Sequence, residues 1–335
     1  MRLTNTDFKL LLELDKDCRQ PLSTLSRNLR ISEQLIGYKI KSYMDEGIIL
    51  SFNAFIDYVT LGYLNFRVYF KINYLSDQKF NTLIKGLYDH PSIIEIIECG
   101  GKYDLVAVFA TINPSEFNKK LKELIAKNPL QLKNYVILTT VIIHYYGRTY
   151  FVQTDRDVID LFRGPEVIHT VIGGERSFLT VDKKDKAILG YIQPSARISS
   201  VFIAKKIKID PKTIRLRIRS LQEREIIRAF RPIFNVQNLG FFVNKILLKY
   251  HNLSLEKEQE LLTFCKFNPH VTELIKVFGE WDLELTVETK TREEFHIVYI
   301  SIREKFEDII EDFESFPVFK THQKEFLPNS MFKEE

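Results

Sequence analysis

The chain has 335 residues, 45% of them hydrophobic and 27% charged, which describes a globular protein of more than one domain with a core too large to need disulfide staples. Its three cysteines form no CxxC pair, its N-terminus is too charged for a signal peptide, and no run approaches ~18 apolar residues, so the expectation is a reduced, cytoplasmic protein. The net charge of +4 is unevenly spread: residues 180–231 carry +9 and residues 232–335 carry −7, so one segment suits a polyanion and its neighbour has another task.

In chain order, TNTDFKLLLELDKD puts Phe8, Leu11 and Leu12 on one helical stripe, and PLSTLSRNL starts with a proline suited to a first turn. SEQLIGYKIKSYMDEG predicts a third helix, with Ser32 as N-cap, Gly47 as stop, and Ile36, Ile40 and Tyr43 at i, i+4 and i+7. Three short helices with a tight turn before the third form a helix-turn-helix, and the β-like IILSFNAFI predicts a wing. The period then changes. LNFRVYFKI alternates, a helical stretch covers 76–88, and SIIEIIEC and LVAVFAT flank a Gly-Lys-Tyr-Asp turn. A helix over 114–127 and the strand NYVILTTVII complete the ferredoxin-like order βαββαβ.

The same programme returns 178 residues later without a gap. GKYDL at 101–105 meets GEWDL at 279–283, Asp7 meets Asp185, Arg19 meets Arg197, and LGY at 61–63 meets LGF at 239–241. The predicted fold is therefore α+β, a tandem duplication of two winged helix-turn-helix domains alternating with two ferredoxin-like domains. The expected boundaries are 1–58, 59–146, a structured linker over 147–179, 180–236 and 237–328. Pro317, inside the last strand, predicts a bulge or an edge position.

The third helix of a helix-turn-helix enters the major groove, so its outward residues are the candidate contacts to double-stranded DNA. In the first copy these are Gln34, Tyr38, Lys39 and Lys41; in the second they are Lys212, Thr213, Arg215, Leu216, Arg217 and Arg219. The second set follows Lys205, Lys206 and Lys208, which predicts that the second head dominates contacts to the phosphate backbone. The seven histidines show no metal-ligand spacing, and no GxGxxG, Walker-type loop or nucleophile-base set is present, so neither a metal nor a cofactor nor an enzyme is expected.

ISEQLIGYKIKSYMDEGII, LGY, HPSIIEIIECGGKYDL and EFNKKL, with IDPKTIRLRIRSLQEREII, LGF, NPHVTELIKVFGEWDL and EFHIVYISIREKF, stand in one order twice. That order resembles the leucine-responsive regulator (Lrp/AsnC, feast/famine) family over nearly the whole chain except the linker. The resemblance implies a sequence-specific DNA-binding transcriptional regulator whose single chain mimics a family dimer, an intramolecular pseudo-dimer, and leaves further homo-oligomerisation open. It also implies a small effector such as an amino acid at the glycine-aromatic-aspartate turns, at Gly101, Tyr103 and Asp104 and at Gly279, Trp281 and Asp282. Two alternatives stand beside it. One is an interaction protein whose first head has lost DNA binding. The other is a siroheme decarboxylase-like enzyme, a group that resembles the same two-module fold; its basic, histidine-containing stretch before Leu-Gly reads here FNAFIDYVTLGY and FRPIFNVQNLGF, without histidine.

Overall fold

The computed structural model describes residues 3–73, 76–129, 131–132, 134–152, 168–251 and 254–332. The first head consists of α1 (Asn5–Lys16), α2 (Leu22–Leu29) and α3 (Glu33–Asp45). Helix α1 starts at a capping box, in which Thr4 and Asp7 satisfy each other's orphan backbone donors. The Ser32 side chain caps α3 by accepting from the Leu35 amide at 3.2 Å, and Gly47 ends that turn at φ +66°. Leu10, Leu11, Leu14, Ile36, Ile40 and Tyr43 are buried together. The predicted stripe of α1 is thus corrected in part: Phe8 and Leu12 lie at its margin, and Phe8 instead meets Phe151 from beyond the first module, ring centroids 5.8 Å apart.

The first module follows as β2 (Leu64–Lys71), α4 (Asp77–Tyr88), β3 (Ile93–Cys99), β4 (Leu105–Thr111), α5 (Pro114–Lys127) and β5 (Asn134–Tyr146), after the connecting strand β1 (Ile49–Ile56). Residues 153–167 of the predicted linker lie outside the described residues; its C-terminal part holds strand β6 (His169–Gly173). The second copy is α6 (Lys183–Ile192), α7 (Ser200–Ile207), α8 (Pro211–Glu223), β7 (Ile227–Phe234), β8 (Phe242–Tyr250), α9 (Leu255–Phe267), β9 (Val271–Phe278), β10 (Leu283–Thr289), α10 (Arg292–Lys305) and β11 (Ile310–Lys324).

Neither module closes on itself. The strands run β2-β4-β3-β11-β8-β10-β9-β5, all antiparallel, and β5 returns to β2, so eight strands form a closed circuit with β6 added beside β5. Closure leaves neither module a free edge within that circuit. Strand β5 pairs with β2 up to Thr139 and with β9 of the other module from Thr139 onward. Strand β11 does the same, with β8 up to Val318 and with β3 beyond it. Pro317 sits at this handover, beside a register shift between Val318 and Lys320, where a missing N–H is tolerated.

The predicted wing strands β1 and β7 pair antiparallel with each other, Ala54 opposite Phe230, so each satisfies the other's ladder. The two heads therefore share one ribbon. Arg19 donates to the Ala196 carbonyl and Arg197 to the Cys18 carbonyl, a reciprocal exchange between residues 178 apart in the sequence.

Candidate nucleic-acid interface

Both third helices bury one apolar stripe and turn the rest outward. On α8, Ile214, Ile218 and Leu221 are buried, while Lys212, Thr213, Arg215, Leu216 and Arg219 are exposed. The Asp210 side chain caps the helix by accepting from the Lys212 amide at 2.6 Å, and Pro211 occupies its first turn. Arg219 also reaches Glu223 at 2.9 Å one turn on, an exposed pair that holds it only weakly. On α3 the matching outward residues are Gln34, Leu35, Tyr38 and Lys41, with Tyr38 69% exposed. The two faces differ in kind: α8 offers three cations, whereas α3 offers one cation beside an amide and an aromatic ring.

Two predicted contacts face inward. Lys39 donates to Asp7 at 2.5 Å, and its equivalent Arg217 donates to Asp185 at 2.7 Å and Asp182 at 2.9 Å. Burial alone would raise the Asp7 carboxyl, but the hydrogen bonds from Lys39, Thr4 and Tyr43 outweigh it and hold the group well below the usual carboxylate range. Lys39 and Arg217 thus clamp the third helix to the first within each head.

The two glycine-aromatic-aspartate turns meet face to face. Trp281 and Tyr103 are buried, and the indole N–H of Trp281 donates to the Tyr103 hydroxyl at 3.4 Å. Asp104 accepts from the Ile72 amide at 2.7 Å and from Lys71 at 3.0 Å; Asp282 accepts from the Tyr250 amide at 2.9 Å and lies 3.3 Å from Lys249. Gly101 takes φ +84°, and a Cβ on Gly279 would meet the Ile137 carbonyl at 2.8 Å. Beside Tyr103, a shallow depression is lined by Tyr69, Lys71, Lys102, Asn134 and Tyr135.

Sequence reasoning missed the polar interior of the barrel. The Arg67 guanidinium pairs with Glu284 at 2.8 and 3.0 Å and with Glu95 at 3.2 Å. Lys245 reaches Glu284 at 2.5 Å and Glu273 at 3.2 Å, and Lys324 reaches Glu273 at 2.9 Å and Glu95 at 3.1 Å. Three cations thus face three anions, almost wholly out of water. Burial by itself opposes these charges, and the opposing partners hold the Glu273 and Glu284 carboxyls below their usual range all the same. The signal available was the alternation of LNFRVYFKI, which places Arg67 on the face opposite Phe66 and Val68.

Residues 181–228 match a winged helix-turn-helix DNA-binding family, a span that contains α8 and its outward cations. Over 119 residues the chain is 31% identical to the HTH-type transcriptional regulator FL11 of Pyrococcus horikoshii, covering 36% of this chain and 78% of that one. The chain belongs to the Lrp/AsnC family of HTH-type transcriptional regulators. It is a DNA-binding regulator of the Lrp/AsnC type. A second relative, the transcriptional regulator AzlB of Bacillus subtilis, is 30% identical over 118 residues, 35% of this chain and 75% of that one. Over its whole length the fold is similar to the crystal structure of the siroheme decarboxylase NirDL, with a TM-score of 0.60, 14% identity, and coverage of 96% and 93% of the two chains. No described helix is long and apolar enough to cross a membrane.

Proposed function

We propose that this Lrp/AsnC-type regulator reads an asymmetric operator, with the second head supplying most of the affinity and the first adding discrimination. The observation that carries this is the exposed trio Lys212, Arg215 and Arg219 on α8, set against Gln34, Tyr38 and Lys41 on α3. Cations on a groove-entering helix neutralise phosphates or bind guanine edges, whereas an amide and an exposed ring contact bases. The reciprocal bonds of Arg19 and Arg197 support a pseudo-two-fold relation between the heads, which suits half-sites about one helical turn apart. Selection of bound oligonucleotides tests this reading. It predicts two unequal half-sites, and a recovered site that is a perfect palindrome, or a single half-site, would overturn it.

We further propose that the regulator responds to a small effector and catalyses no reaction. In support of the first, the depression beside Gly101, Tyr103 and Asp104 offers the Lys102 ammonium to a ligand carboxylate. Because Asp104 and Asp282 are already held by lysines and amides, their role in this reading is to fix the turns, and Gly279 and Trp281 complete the packing between them. In support of the second, the relatives that the chain matches over a third of its length are named transcriptional regulators. A porphyrin Soret band co-purifying with the protein would contradict the non-enzymatic reading.

A further inference from the structure

The two third helices are held in the same frame, so a difference between their outward faces is a difference in what they read. Ser32 and Asp210 cap them at equivalent positions, and Ile36, Ile40 and Tyr43 are buried where Ile214, Ile218 and Leu221 are. The residue that ends the preceding helix, Arg30 in one head and Lys208 in the other, takes the same left-handed backbone, φ 57°. Each head therefore brings a cation to the turn before its third helix, suited to a phosphate and to setting register rather than to reading bases.

Within this shared frame Gln34 and Gly37 stand where the second head has Lys212 and Arg215. The members of each pair are three residues apart and so are neighbours on the helix surface. The fold does not demand a glycine at 37. It sits mid-helix rather than at a turn of positive φ, where it weakens the helix relative to alanine. The nearest atom that a Cβ there would meet is Leu22 Cδ1, at an unstrained 3.8 Å. The missing side chain leaves a notch on α3, with backbone as its floor, Leu22 of α2 on one side and the 69% exposed Tyr38 beside it. At the counterpart position the notch is filled by the exposed Arg215.

In the major groove an A·T pair presents adenine N6 and N7, which suit an amide side chain, and beside them the apolar thymine methyl; a G·C pair presents guanine O6 and N7, which suit a cation. The exposed amide of Gln34 next to an apolar notch matches the first edge, and the cations at the same two places on α8 do not. We propose that Gln34 and Gly37 together read one A·T pair in the first half-site, Gln34 holding the adenine and the notch over Gly37 receiving the methyl of its partner thymine. This assignment rests on the unequal-head regulator proposed above and names the base pair by which its first half-site is told apart.

Fluorescence anisotropy of the full chain on the operator recovered by selection, with each base pair of the first half-site replaced in turn, tests the assignment. The expected result is one A·T pair whose replacement by G·C weakens binding at least about fivefold. Deoxyuridine in place of its thymine removes only the methyl and is expected to weaken binding about fourfold, the worth of one buried methyl group. Gly37→Leu keeps a strong helix former while filling the notch; it is expected to melt no lower than the parent and to lose the deoxyuridine penalty. Gln34→Lys combined with Gly37→Arg gives α3 the cations of α8 and is expected to lose the A·T preference at that pair, with the second half-site unchanged. A first half-site in which no pair meets both criteria, a deoxyuridine penalty that survives Gly37→Leu, or an A·T preference that survives the double exchange would each overturn the proposal and leave the unequal-head reading standing. Recovery of no first half-site at all would overturn both.

Discussion

Lys39 and Arg217 occupy the same place in the two third helices and both turn toward a buried aspartate, so charge reversals on these helices are expected to separate into two classes. Arg215→Glu and Arg219→Glu should each weaken operator binding by ~1–3 kcal/mol, with the melting temperature unchanged; Lys41→Glu should cost less. Lys39→Met should leave Asp7 buried with one fewer donor and lower the melting temperature of the protein before it alters DNA affinity. Fluorescence anisotropy with a selected operator and thermal melting distinguish the classes, and equal binding losses at Lys41 and Arg219 would refute the inequality of the heads. The outward face of α8 was legible in the sequence because helical period alone places it. The inward turn of Lys39 was not, because Asp7 belongs to a different helix and only the packing of α1 on α3 brings the two together. The pairing of Asp7 with Asp185 as repeat anchors was the trace that the sequence held of it.

At the scale of the element, β6 is fixed to β5 partly by two neutral imidazoles. His144 and His169 lie 2.9 Å apart with stacked rings, an arrangement in which one nitrogen donates and the other accepts. Burial, then the neighbouring imidazole and lysines, push His144 down to about 4, and burial with Lys266 and Arg231 lowers His169. The unfolded chain therefore takes up protons near pH 6.5 that the folded chain refuses until about pH 4, so this contribution to stability is complete above 6.5 and is lost as the pH falls through that window. Urea denaturation at pH 7.0, 5.5 and 4.5 should show the fall, and His144→Gln should flatten it. An unchanged slope would remove the pair from the account. The βαββαβ order was readable from period changes, yet the ribbon of β1 and β7 was not. A strand's sequence specifies that it will pair; it does not name the partner when an equivalent strand lies in the second copy.

For the whole molecule, the interior ion network joins the two modules across copies. Arg67 comes from the first and Glu284 from the second, while the position matching Glu284 is Val106. Glu284→Gln removes an anion from a site where Arg67 and Lys245 remain buried, and breaking such a pair costs about 3–5 kcal/mol. Chemical denaturation is expected to show that loss in a single transition for the entire barrel; two separated transitions would mean that the modules are independent. The duplication was legible because one offset aligned anchors along the chain. The closed circuit of strands was hidden, since β5 and β11 read as ordinary last strands until their outer halves are seen on the opposite module.

The divided pairing of β5 also bears on biosynthesis. When the ribosome has released β5, its first half finds β2 already made, but the strand that receives its second half, β9, is still to be translated. At ~5–20 residues per second that partner arrives on the order of ten seconds later. Through that interval an apolar strand end stands open on the nascent chain, and a neighbouring ribosome on the same message offers an identical one. The molecule's assembly is thus a race between its own second half and its sibling's first.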